Sequence, residues 1–101
     1  MDINHGFHAT MTAQPGKGDE VLRILLAAPA LTHPDCAVFL ISRSVEDPDT
    51  ISVTEGWTST EAHSRFFASE PAQALLSVLQ PLLRGESRYT DEIPVGGKAR
   101  F

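Results

Sequence analysis

Apolar and polar residues alternate from Phe7 to Ala13. Phe7, Ala9, Met11 and Ala13 take one side, and His8, Thr10 and Thr12 take the other. A period of two predicts a strand with one apolar face. The stretch "QPGKGDE" interrupts it, with Pro15, Gly16 and Gly18 as turn residues. The spacing then changes. Val21, Leu22, Leu25, Leu26 and Ala28 recur at helical intervals, and Asp19 and Glu20 suit the positive end of a helix dipole. Pro29 predicts an end or kink near Ala28, and "LTHPDC" reads as loop. Ala37 to Ile41 is apolar without a break, which predicts a strand buried on both faces. "EDPD", Glu46 to Asp49, is a turn. "TISVTEGW" is a third strand, with Ile51, Val53, Glu55 and Trp57 on one face.

Thr58 and Glu61 have the T-x-x-E spacing of a capping box, which predicts a helix starting directly after the strand. Ala62, Phe66 and Phe67 form its apolar stripe. Pro71 suits the first turn of a renewed helix, and Leu75, Leu76, Val78, Leu79, Leu82 and Leu83 continue it to Gly85, a residue suited to the position after a helix end. "SRYTDEI" reads as a last strand stopped by Pro94, followed by a tail over 95–101. The order β-α-β-β-α-β predicts an α+β fold of the ferredoxin-like arrangement, a four-stranded antiparallel sheet with its helices on one face. A second strand apolar on both faces asks for cover on the open side. A homodimer with two sheets face to face supplies it.

Composition narrows the class. The chain has 101 residues, 42% hydrophobic, which suits a single domain over 1–101. It carries 13 acidic and 8 basic residues, for a net charge of -5, and the basic ones are scattered. Neither nucleic acid nor an anionic membrane is an expected partner. Cys36 is the one cysteine. It makes no intramolecular disulfide and no cysteine zinc site, and it fits a reducing, cytoplasmic setting. No secretory signal is read at the N-terminus, and the apolar run from Ile24 to Leu31 is too short to span a bilayer. No H-E-x-x-H, P-loop or dinucleotide glycine fingerprint occurs.

The E-x-W-x-S-x-x-A-H core (Glu55, Trp57, Ser59, Ala62, His63) stands with "PGKGDEVL", the "PLL-x-G" end of the second helix and the closing "PVGG". Together they resemble the antibiotic biosynthesis monooxygenase family of the dimeric α+β barrel superfamily, most of all its quinol monooxygenase type. The resemblance implies a homodimer with a cavity between sheet and helices in each subunit. It also implies oxidation of a small aromatic or quinol substrate by O2 without metal, flavin or other cofactor. Haem degradation is not expected. Phe66 and Leu76 stand where the haem-degrading branch has Trp and His, and Asn4 lies before the core of the first strand.

His63, on the first turn of the second helix, is the leading candidate base, since a helix N-terminus disfavours an imidazolium. Its bland alternative is a solvated helix face. His8 is a second candidate base if the polar side of the first strand lines the cavity; otherwise it is a rim histidine. His5 and His8 fall on opposite faces of a strand and make a poor metal pair, so no metal site is expected. His33 reads as an exposed loop residue. Trp57 either stacks on an aromatic substrate or is plain packing. Glu55 is either paired with Arg43 or is a pocket acid with a raised pKa. Tyr89 can donate a hydrogen bond to a quinol oxygen, and Phe39, Phe66 and Phe67 suit an apolar wall. Two other functions fit the scaffold: a non-catalytic or stress-associated module that binds a small ligand, and an isomerase or other proton-transfer enzyme.

Overall fold

A computed structural model describes residues 2–98. Strand β1 is His5–Thr12 and helix α1 is Gly18–Leu25; strands β2 (Cys36–Arg43) and β3 (Thr50–Trp57) follow. Helices α2 (Thr60–Phe67) and α3 (Glu70–Leu79) precede strand β4, Arg88–Glu92. The strands lie in the order β2-β3-β1-β4, every neighbour antiparallel. This is the α+β, ferredoxin-like sheet that the alternation of elements predicts. No helix among the described residues is long and apolar enough to cross a membrane.

The parity of the strands decides what the helices cover. Ala9 and Met11 of β1 and Ile51 and Val53 of β3 form one cluster with Val21, Leu25 and Leu79 from α1 and α3. Ile51 and Val21 are fully buried. Each such aliphatic side chain contributes roughly 1.5–3 kcal/mol on burial, so this cluster is the main hydrophobic anchor of the helices. α1 starts close to the β2–β3 turn, and Asp49 of that turn accepts hydrogen bonds from the backbone N–H of Gly16 (3.0 Å) and Gly18 (2.9 Å). A Cβ on Gly18 would lie 2.3 Å from the Pro48 carbonyl oxygen, so only glycine fits this approach.

Several local expectations are corrected. α2 is capped by Ser59, whose hydroxyl accepts from the Ala62 N–H at 3.0 Å. Thr58 is instead occupied by Asp35, through its N–H (3.0 Å) and its hydroxyl (3.3 Å), so the Thr58–Glu61 capping box does not form. α1 ends at Leu25, before Ala28, and a short 3-10 turn over Pro29–Thr32 lies within the expected loop. Ser69 caps α3, with Pro71 in its first turn. α3 stops at Leu79, because Pro81 lies in a 3-10 turn, Gln80–Leu82, and Leu83 then bridges back to Ala13. Gly85, with φ of 67°, is therefore a turn residue and not the helix terminus. β1 begins at His5, two positions before Phe7. In the single chain β2 is not buried on both faces, and Leu40 is 40% exposed. The tail carries no helix or strand as far as residue 98, and 99–101 lie outside the described residues.

Candidate functional site

Cross-strand register lays the helix-facing residues out in rows. Met11 pairs with Ile51; Ala9 lies between Val53 and Tyr89; Phe7 lies between Glu55 and Asp91; His5 pairs with Trp57. Phe39 on β2 extends the Phe7–Glu55 row, and Ile41 extends the Ala9–Val53 row. The side chains thus change along one sheet face, from aliphatic at the Ile51 end to ionisable and aromatic at the Trp57 end. Between this face and the helices lies a cavity of about 910 Å³, within the size range of small-molecule sites. Phe7, Phe39, Phe66, Leu75, Leu76 and Leu79 supply apolar wall, and Glu55, His63, Tyr89 and Asp91 supply polar groups.

His63 is held by the Ser59-capped first turn of α2. Its Nδ1 lies 3.1 Å from His5 Nε2, and its Nε2 lies 3.7 Å from Glu55 Oε1. The longer distance exceeds a direct hydrogen bond and leaves Nε2 open to a substrate hydroxyl. Burial holds the His63 pKa below the ordinary imidazole value, and nearby His5 adds to this against the opposing pull of Asp91. The direction matches the sequence expectation, but burial is the main cause. The ring is therefore neutral at neutral pH, the state a general base needs.

Glu55 has a side chain only 12% exposed. Burial raises its pKa, opposed by the hydrogen bond that the Trp57 indole Nε1–H donates to Oε1 at 2.8 Å. Arg43 is not its partner. That guanidinium pairs with Asp19 at the start of α1 and holds the Asp19 carboxyl below its usual range. Trp57 is fully buried. It packs against His33, His63 and Phe66, with ring centroids 5.4, 5.2 and 4.9 Å away, and it bears on the cavity through Glu55. His33 is accordingly half-buried beside Trp57 and Phe66, not exposed.

Six of the eight sequence candidates line the cavity: His63, Glu55, Phe39, Phe66, Phe67 and Tyr89. Trp57 does not line it, but donates a hydrogen bond to Glu55, which does. His8 points to the opposite sheet face, where its Nδ1 meets Thr54 Oγ1 at 3.1 Å. Two ionisable groups at the site, His5 and Asp91, were not among the candidates. His5 is buried, with Nδ1 3.3 Å from Thr60 Oγ1 and Nε2 3.3 Å from Asp91 Oδ1. Carrying the β1 alternation one step back from Phe7 would have found His5, and the same parity from Tyr89 would have found Asp91. His5, His63 and Asp91 could hold a metal ion, since one ligand atom from each lies within 4.8 Å of the others.

Residues 5–77 match the family model described as "Antibiotic biosynthesis monooxygenase". No curated protein matches the chain. Among solved structures, a candidate antibiotic biosynthesis monooxygenase of Chloroflexus aurantiacus is 28% identical with a TM-score of 0.84, covering 94% of this chain and 96% of that one. One of the same description from Caulobacter crescentus is 22% identical with a TM-score of 0.79, over 93% and 92% of the two chains. The protein Rv0793 of Mycobacterium tuberculosis is 15% identical with a TM-score of 0.82, over 94% and 98%. The last two likenesses bear on the fold alone.

Proposed function

The chain belongs to the antibiotic biosynthesis monooxygenase family, and from that premise we propose that it oxidises a small aromatic or quinol substrate with O2, without a cofactor. The observation that carries this reading is His63 beside the buried Glu55 in an aromatic-walled cavity, where burial favours the neutral imidazole. For an anthrone-like substrate the balance is simple. One ring methylene and one O2 become one ring carbonyl and one water, with the substrate supplying all four electrons. His63 Nε2 takes the phenolic proton, the electron-rich anion passes an electron to O2, and recombination forms the carbon–oxygen bond. Loss of water, with return of the proton, leaves the carbonyl. The protein supplies an oriented base, a hydrogen-bond partner in Tyr89 or Glu55, and a shielded apolar wall.

The active unit in this reading is a homodimer. Val38 and Leu40 lie on the sheet face away from the helices, Leu40 is 40% exposed, and Ile93 and Val95 are 85% and 97% exposed. Covering these groups favours association. Light scattering should give twice the chain mass at micromolar concentration, and a stable monomer contradicts this part. Oxygen uptake with a panel of quinols and hydroxyanthrones tests the chemistry. Saturable binding with no oxygen consumption across the panel replaces the proposal with the ligand-binding reading, and turnover without oxygen replaces it with proton-transfer chemistry.

A further inference from the structure

At the Trp57 end of the cavity two imidazoles meet nitrogen to nitrogen. His5 Nε2 is 3.1 Å from His63 Nδ1 and 3.3 Å from Asp91 Oδ1. Ligand atoms bound at about 2.0–2.1 Å around a tetrahedral zinc ion stand about 3.3 Å from one another. The third pair closes within 4.8 Å, and Asp91, 76% exposed on the edge strand, has room to complete the approach.

The other nitrogen of His5 has a hydrogen-bonding neighbour, and that of His63 has a carboxylate beyond direct hydrogen-bond distance. His5 Nδ1 faces Thr60 Oγ1 at 3.3 Å, and His63 Nε2 faces Glu55 Oε1 at 3.7 Å. A ligating histidine gives its remaining N–H to a carboxylate or other oxygen, which fixes the tautomer that points the lone pair at the metal. We propose that His5 Nε2, His63 Nδ1 and Asp91 bind one divalent transition-metal ion of the zinc type, with His5 oriented by Thr60. Two imidazoles and one carboxylate select zinc, cobalt or ferrous ion over magnesium and calcium, which favour all-oxygen sites. Three protein ligands leave a position for water or a substrate oxygen. It faces the cavity, since His63 and Asp91 both line it.

Metal binding at this site is no part of the proposed oxidation and opposes it. A cation on Nδ1 keeps the proton on Nε2, so the loaded ring cannot act as the base there, and zinc should inhibit oxygen uptake. Binding is read without activity. Chelator-stripped protein is titrated with Zn(II) by calorimetry and with Co(II) by visible absorption. One equivalent per chain is expected, with intense cobalt bands of a site of fewer than six ligands, unaffected by excess magnesium. His63→Gln should weaken binding by more than about 100-fold, and Thr60→Ala by about 10–100-fold. His5→Gln should resemble His63→Gln; if it fails to fold, Asp91→Asn on the exposed strand carries the same test. Cys36→Ser and His8→Ala should leave the affinity unchanged. Absence of saturable binding, or binding that survives both His63→Gln and Asp91→Asn, overturns the proposal.

Discussion

The Ile51 end and the Trp57 end of one sheet face sit under the same helix layer but differ in kind. At the first, Met11, Ile51 and Val53 pack against Val21, Leu25 and Leu79, with no ionisable group in the cluster. At the second, Glu55 and His63 contact a fully buried Trp57, and His5 links His63 to Asp91 on the exposed edge strand. Both ends are written in the same period-two alternation. One gains free energy from dry packing. The other gives it up in desolvating Glu55 and His63, which raises the pKa of the first and lowers that of the second. The titratable groups thus lie at one end of β1 and β3; Met11, Val53, Leu25 and Leu79 of the other end also form cavity wall, so Ile51 and Val21, which do not line the cavity, are the positions where stability can be altered separately.

The sharpest break of the dry end is Ile51→Ala. It should cost about 2–5 kcal/mol of unfolding free energy, read by urea denaturation, with ligand binding retained by whatever fraction is folded. At the polar end Ser59→Ala removes the cap that holds the first turn of α2 and with it His63. About 1 kcal/mol of stability should be lost, together with weaker substrate binding.

Glu55→Gln separates the ends by pH. The folded pKa of Glu55 is raised by burial above the ordinary value near 4.5, so its protonated form is favoured on folding. The stability tied to that proton is full below the ordinary value and is lost as pH rises through the folded pKa. Gln keeps an acceptor for the Trp57 indole and has no charge. The melting temperature of the variant should therefore gain on the native protein as pH rises through that window and match its trend below it. His63 behaves in the opposite sense. Its folded pKa is depressed below 6.5, so its contribution is full above 6.5 and is lost as pH falls through the folded value. His63→Gln should flatten that acid limb of the melting curve.

The faces of β1 and β3 were legible because alternation depends only on which residues are apolar; β2, an unbroken apolar run, was read as buried on both faces and is not in the single chain. The site was legible only in part. Glu55 and His63 flank the strand-to-helix junction and are close in sequence. His5 and Asp91 reach them only through the pairings His5↔Trp57 and Phe7↔Asp91. That is a register, which composition and local spacing do not encode. Starting β1 at Phe7 left His5 outside the sheet, and its true neighbour was a helix residue, not His8. Thr58 was misread for a similar reason: its hydroxyl is drawn to Asp35 in a loop distant in sequence, and Ser59 takes the cap.

The most direct test of the central claim is oxygen uptake with a hydroxyanthrone or quinol substrate, comparing the native protein with His63→Gln at matched melting temperature. Loss of a positioned base should lower turnover by about 10²–10⁴-fold, while Ile51→Val, a change confined to the dry end, leaves the rate of the folded protein intact. Equal oxygen uptake by the native protein and His63→Gln would contradict the assignment of chemistry to the polar end of the sheet.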